Sequence, residues 1–326
     1  MATLDHVAST GDPRCDKIIH GVIGVFETTF PNRIRGYYLR GSRASGTSTT
    51  GSDIDLFIIF KDRFLNEAEY CQAHDLNEYC AQLSPILLEC LLVGELGLQR
   101  NIDIALNLKL ATRLLYGEDI SSDLPAFEPD RYVRAVMHTP YFSYTFPAER
   151  RNAGPLTYPM HHIAPEDQFF GYTQWTMPTA DASDQPSTKL LIASVGWTAT
   201  AIVALQTGRY VKDKAACVDL YRTRVGDQWT DLVVTVHELC RNRWHYQVPR
   251  SNSDRQILRE LCSRALTFEN HFLTIYRDYQ LAELAEANPE RQQLATQHLH
   301  EIVFPDDEVV AALAAARTTN RPGGAV

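Results

Sequence analysis

In this chain of 326 residues, no apolar run close to the roughly 20 residues needed to cross a bilayer is expected. Its first residues show no basic segment followed by an apolar core, so the expected compartment is the cytoplasm, with no membrane partner. The seven cysteines are odd in number and include no Cys-x-x-Cys pair, so buried, reduced thiols are expected rather than disulfides or a structural zinc site. Basic charge is also short. Against 40 Asp and Glu there are 31 Lys and Arg, a net charge of −9. Polynucleotide binding rests on Lys and Arg neutralising phosphates, so a nucleic-acid substrate is disfavoured and a small acceptor, including a cationic one, is compatible. The length suffices for two ordinary domains, each with its own core.

What is present is organised around the stretch from Gly36 to Phe60. It reads as an apolar strand, a small-residue turn opening toward a helix, and a second strand whose first residues carry Asp53 and Asp55. Side chains alternate along a strand, so the two carboxylates share one face, about 7 Å apart at their Cα atoms. Such a pair suits magnesium, which takes carboxylate oxygens together with water and substrate phosphates. Gly41-Ser42 adds a place where backbone N–H groups can approach a phosphate. The span from Gly41 to Ser48 nearly spells a P-loop, but Thr47 stands where that motif needs lysine. The plainer reading is a half-exposed strand with turn glycines. The apolar run Leu56 to Phe60 points instead to a buried central strand with acids at its mouth.

A Gly-Ser followed about ten residues later by Asp-x-Asp resembles the nucleotidyltransferases of the DNA polymerase β superfamily. The resemblance implies a mixed-sheet α/β (α+β) domain, a donor nucleoside triphosphate, magnesium as two ions, and a third carboxylate on a neighbouring strand. In Asn101 to Leu110, Ile102, Ile104, Leu106, Leu108 and Leu110 alternate with Asp103, Ala105, Asn107 and Lys109, so a strand is expected with Asp103 on its polar face. Asp103 is therefore the expected third acid, as metal ligand with Asp53 and Asp55 or as base. Glu89, with apolar neighbours on both sides, ranks below it. Gly41, Ser42 and Arg43 are the expected phosphate binders. The segment Leu108 to Asp119 is similar to the leucine-tyrosine-glycine piece that closes such domains, and reads as a short helix stopped by Gly117.

Elsewhere, helical spacing covers Ile18 to Phe26 behind an Asp16 cap, and again Glu67 to Leu83; Ile86 to Val93 reads as a strand. From Tyr141 to Ser187, Pro, Gly, His and aromatic residues replace periodic apolar positions, and His161, His162, Glu166, Asp167, Tyr172 and Trp175 could floor a pocket. Sealing the seam between domains would use the same rings. Residues 188 to 302 read as a helical bundle. It is similar to the C-terminal domain of the streptomycin/spectinomycin-type aminoglycoside adenylyltransferases, on Gly208 to Ala216. There the resemblance implies a lysine reaching the ATP phosphates, Lys214 in preference to Lys212. Arg241 and His245 invite comparison with helical ribonucleases, but three intervening residues are fewer than that motif has.

The expected organisation is a nucleotidyltransferase domain over 1–130, a connector over 131–187 that could line a cleft, a helical domain over 188–317, and a disordered tail over 318–326. The expected reaction moves AMP from Mg-ATP to a hydroxyl of a small-molecule acceptor, with release of pyrophosphate. A protein adenylyltransferase or toxin-antitoxin-type partner modifier would share every motif. A non-catalytic nucleotide-binding module would share the fold but need not keep three acids.

Overall fold

The computed structural model describes residues 7–49, 51–152, 154–178 and 183–319. Helix α1 (Pro13–Thr29) starts one turn earlier than its apolar spacing suggests, because Asp12 caps the Arg14 amide and Pro13 is suited to the first helical position. Strand β1 (Ile34–Arg40) runs into a single helical turn, α2 (Gly41–Ala44), and a loop leads to β2 (Ile54–Phe60). Helix α3 (Glu67–Leu83), β3 (Leu88–Gly94), the turn α4 (Glu95–Leu98), α5 (Ile102–Ala111) and β4 (Arg113–Gly117) follow. The four strands form one mixed sheet in the order β3-β2-β1-β4, with β2 and β3 parallel and the other pairs antiparallel.

Strand β2 is the centre of this sheet, and its alternation divides two cores. Ile54, Leu56, Ile58 and Phe60 pack with Ile19, Val22, Ile23 and Phe26 of α1. Phe57 and Ile59 pack on the other side with Ala105 and Leu108 of α5. Asp53 and Asp55 share the face of Phe57 and Ile59, at the end of β2 where α5 leaves room.

Two sequence expectations change here. Residues 102–111 are a helix, not a strand. Alternating apolar positions also contain the spacings 102/105/106 and 104/108, and Ala, Leu and Lys favour helix where β-branched residues are few. The helix buries Ala105, Leu106 and Leu108 and leaves Leu110 43% exposed, so the supposed apolar face is not one face. Arg113–Gly117, expected as a helix, is β4. It pairs with β1 through Gly36↔Gly117 and Tyr37↔Tyr116.

Beyond residue 128 the chain is mainly helical. Helices α6 (Pro129–Met137), α7 (Thr139–Thr145) and α8 (Ala148–Asn152) are followed by short strands β5 (Leu156–Thr157), β6 (Thr176–Pro178) and β7 (Asp184–Pro186). Then come α9 (Lys189–Thr207), α10 (Lys214–Leu220), α11 (Thr230–Thr235), α12 (Asn252–Ala285), α13 (Pro289–His300), β8 (Ile302–Val303) and α14 (Asp307–Thr319). α10 and α11 each widen into a π-helical turn, at Tyr221–Val225 and Val236–Arg243. Helix α9 is long and apolar enough to cross a membrane, against the expectation that no such run exists, but most of it is buried against α6, α7 and α12. Residues of the expected connector, among them Tyr144, Ile163, Phe169 and Tyr172, belong to the same core. Of the tail expected over 318–326, Thr318 and Thr319 are helical and 320–326 lie outside the described residues.

Ile58 is fully buried at the middle of β2. Ile58→Ala should cost about 2–5 kcal/mol in urea unfolding through lost burial and the cavity left behind; a cost under about 1 kcal/mol would contradict this placement of the core.

Candidate functional site

A cavity of about 770 Å³ lies between the sheet and the helical half, lined by Gly41, Ser42, Asp53, Asp55, Glu89, Lys189 and Lys214, with Trp175 and Arg241 on its helical side. Antiparallel pairing puts Arg40 opposite Asp55, and parallel pairing puts Glu89 beside it. Arg40 spans both acids, with Nη2 3.5 Å from Asp55 Oδ1 and 3.8 Å from Glu89 Oε2. Gly41 lets this cluster close. Its φ is +66°, and a Cβ there would sit 2.3 Å from Asp55 Oδ2, so the backbone lies against the carboxylate where no side chain fits.

The helical half supplies further cations. Lys189, at the start of α9, places Nζ 3.1 Å from Asp53 Oδ2 and 5.5 Å from the centre of the Tyr246 ring. Lys214, the first residue of α10 behind an Asp213 cap, lies 5.9 Å from the same ring. Arg241 is buried and ties the two halves, donating from Nη2 to the Thr47 carbonyl at 2.7 Å and from Nε to the Tyr246 hydroxyl at 2.9 Å. The arginine of the ribonuclease-like pair is thus a clamp on the loop between α2 and β2.

Electrostatics separate the two aspartates. Burial raises the Asp53 carboxyl, but Lys189 and Lys214 outweigh it and hold the group below the ordinary value. Asp55 is pushed up to about 6, first by burial and then by the charge of Asp53. Asp53 is therefore the well-compensated member of the pair and Asp55 the poorly compensated one.

Several expected site residues meet in this cavity, namely Gly41, Ser42, Asp53, Asp55 and Lys214, with Lys212 also on the wall. Two do not. Arg43 points away from phosphate duty: Nε donates to the Asp53 carbonyl at 2.8 Å, Nη2 to the Ser52 carbonyl at 2.9 Å, and Nη1 approaches Asp12. It braces the loop that presents the acids. Asp103 lies on α5 and lines a neighbouring cavity of about 330 Å³ instead. The three-acid set Asp53, Asp55, Asp103 is not assembled, and among the described residues no three His, Cys, Asp or Glu side chains are grouped to hold a metal ion. Of the rings and acids expected to floor a pocket, Trp175 lines the larger cavity. His162 stacks on Phe170, and Asp167 caps the Phe169 and Gly171 amides.

Lys189, Arg40 and Tyr246 carry no motif in the sequence, Lys189 being only the polar start of an apolar helix, and Arg241 stands out there only as half of the ribonuclease-like pair. Glu89 falls in register with Asp55 only through the parallel pairing of β3 on β2, which the sequence does not display.

Residues 23–121 match the family model described as Polymerase beta, Nucleotidyltransferase. A spectinomycin adenyltransferase from Enterococcus faecialis, solved with ATP and spectinomycin, is similar in structure with a TM-score of 0.45 and 12% identity, over 78% of this chain and 98% of that one. No curated protein matches the chain. The similarity to the polymerase β-type nucleotidyltransferases thus lies in residues 23–121, the part that holds the sheet and both aspartates.

The folded Asp55 binds its proton more tightly than an unfolded aspartate with its ordinary value of 3.8. Ionising it therefore costs native stability, a cost absent below about pH 4 and full above about pH 6. In EDTA at pH 8, Asp55→Asn should be about 1–3 kcal/mol more stable than the parent, the difference shrinking as pH falls from 6 to 4. Urea titrations at pH 4, 6 and 8 check this; equal stability at pH 8 would rule out the electrostatic account.

Proposed function

We propose that this chain transfers AMP from Mg-ATP to a hydroxyl of a small-molecule acceptor and releases pyrophosphate. The observation that carries the reading is the adjacent pair Asp53 and Asp55, the second poorly compensated, facing a cavity whose far wall presents Lys189 and Lys214. Two hard anionic oxygen donors with residual negative charge fit a magnesium ion that fills its other positions with water and phosphate oxygens, which is how that ion is commonly held. Asp53 and Asp55 would hold the ion, which supplies charge neutralisation at the phosphates when bound. We also take the chain as divided near residue 130, with the helical unit over 188–317 closing the cleft.

The chain's own residues then have distinct work. Gly41 and Ser42 offer backbone and hydroxyl groups to the outer phosphates, and Lys214 counters their charge. Lys189 sits on Asp53 and can turn to phosphate once another cation satisfies that carboxylate. Transfer needs positioning and charge stabilisation more than covalent chemistry. The acceptor oxygen forms a bond to the α-phosphorus as the bond to the bridging oxygen breaks, and pyrophosphate leaves. The hydroxyl proton goes to a carboxylate. Glu89 is the better placed for that role, in register with Asp55, lining the same cavity, and 57% exposed in its side chain where Asp55 is 14% exposed. Asp103, expected as base or third metal ligand, faces the other cavity.

Thermal unfolding with ATP, GTP, CTP or UTP, each with and without magnesium, tests the reading. Mg-ATP at about 100 times its Kd should add about 2.7 kcal/mol, a few degrees in Tm, and Asp53→Ala/Asp55→Ala should lose the shift. Glu89→Gln should keep the shift yet lower acceptor-dependent pyrophosphate release by about 10²–10⁴-fold. No magnesium-dependent shift with any nucleotide would overturn the proposal; a Glu89→Gln variant with parental turnover would remove Glu89 from it.

A further inference from the structure

We propose that the 330 Å³ cavity beside the carboxylate site is the acceptor pocket, and that it selects a mainly apolar, hydroxyl-bearing molecule with a single basic nitrogen rather than a polyhydroxylated polycation. The proposal rests on the nucleotidyl-transfer reading and names the substrate class for it. The two cavities adjoin, sharing Arg40, Asn107, Trp197, Asp213 and Lys214 in their walls, so a molecule seated in the smaller one can extend a hydroxyl toward Asp55 and Glu89.

The walls decide the class. Phe57, Val136, Val195, Val233 and Val236 give the smaller cavity an apolar surface. Helix α9, which runs along it, has no charged residue after Lys189. The polar groups are mostly engaged already. The Tyr132 hydroxyl accepts from the Val211 amide at 3.1 Å, Asn107 Nδ2 donates to the Tyr210 hydroxyl at 3.3 Å, and Asp213 caps the Ala216 amide at 2.8 Å. A ligand hydroxyl against such walls loses its water partners without replacement. Asp103 is different. Its carboxyl forms no ion pair among the described residues, and the groups acting on it include no cation. One amine answers that charge, and the second carboxylate on this wall, Asp213, is already engaged in capping the Ala216 amide.

Gly196 sets the width. It sits in the interior of α9, where glycine is less favourable to a helix than alanine, and a Cβ built there meets nothing within 4 Å. The missing side chain leaves room in the wall for the ligand body.

Ligand-observed NMR titrations of the full chain with 2-amino-1-phenylethanol, 1-phenylethanol and glucosamine test the assignment. The amino alcohol should bind at least tenfold tighter than glucosamine. Gly196→Leu, which fills open space and favours helix, should weaken amino alcohol binding at least tenfold, and its cooperative unfolding shows that the fold survives. Asp103→Asn should weaken the amino alcohol about fivefold or more while leaving 1-phenylethanol unchanged. Equal or tighter binding of glucosamine, or parental affinity in Gly196→Leu, would overturn the proposal, and an unchanged Asp103→Asn would remove the basic nitrogen from it. These titrations contain no nucleotide, so a chain that passes them yet shows no Mg-ATP shift refutes the transfer reaction and not the pocket.

Discussion

Two carboxylates two residues apart on one face of a buried strand cannot both be charged at low cost unless a cation stands between or beside them. Strand β2 imposes that arrangement on Asp53 and Asp55, and the rest of the site follows from it. Lys189 partly satisfies Asp53 from across the cavity. Arg40 reaches Asp55 only at 3.5 Å and divides itself with Glu89. What remains is a poorly compensated Asp55 facing the cavity. On the proposed reading, a hard cation carried in with phosphates would compensate it.

Asp55 can stay poorly compensated because the surroundings are stiff. The fully buried apolar residues of β2 pack on two separate cores, so the strand cannot rotate its acids into solvent. Gly41 brings backbone against the Asp55 carboxylate, and Arg43 holds the carbonyls of Ser52 and Asp53. The helical half completes the arrangement with Lys189, Lys214 and Tyr246, and Arg241 fixes the Thr47 loop to that half. Neither half carries a whole site. The acids and Arg40 come from local sequence, and Lys189 and Lys214 from more than a hundred residues away.

That division explains what could be read in the sequence. Gly41-Ser42 and Asp53-Ile54-Asp55 were legible because their relation is local: a turn, a two-residue period, one strand. The helical second half was legible from apolar spacing, although its short strands were not. Asp103 was placed wrongly because evenly alternating apolar residues fit a strand and also contain helical spacings, and only packing against β2 decided between them. Glu89 needed the parallel register of β3 on β2, which is a long-range fact. Arg43 looked like a phosphate binder because it follows Gly41-Ser42, yet two unsatisfied carbonyls nearby claim it. Lys189 carried no local signal, since its importance comes from where α9 docks.

The most direct test is whether nucleotide binding removes the proton that the crowded Asp55 retains. Calorimetric titration of Mg-ATP at pH 6, repeated in buffers of different ionisation enthalpy, counts the protons released. An acid titrating near 6 is about half protonated there, so the account predicts release of about half a proton, falling toward zero at pH 8 and absent in Asp55→Asn. Binding of Mg-ATP with no proton release at pH 6, or with equal affinity in the absence of magnesium, would contradict it.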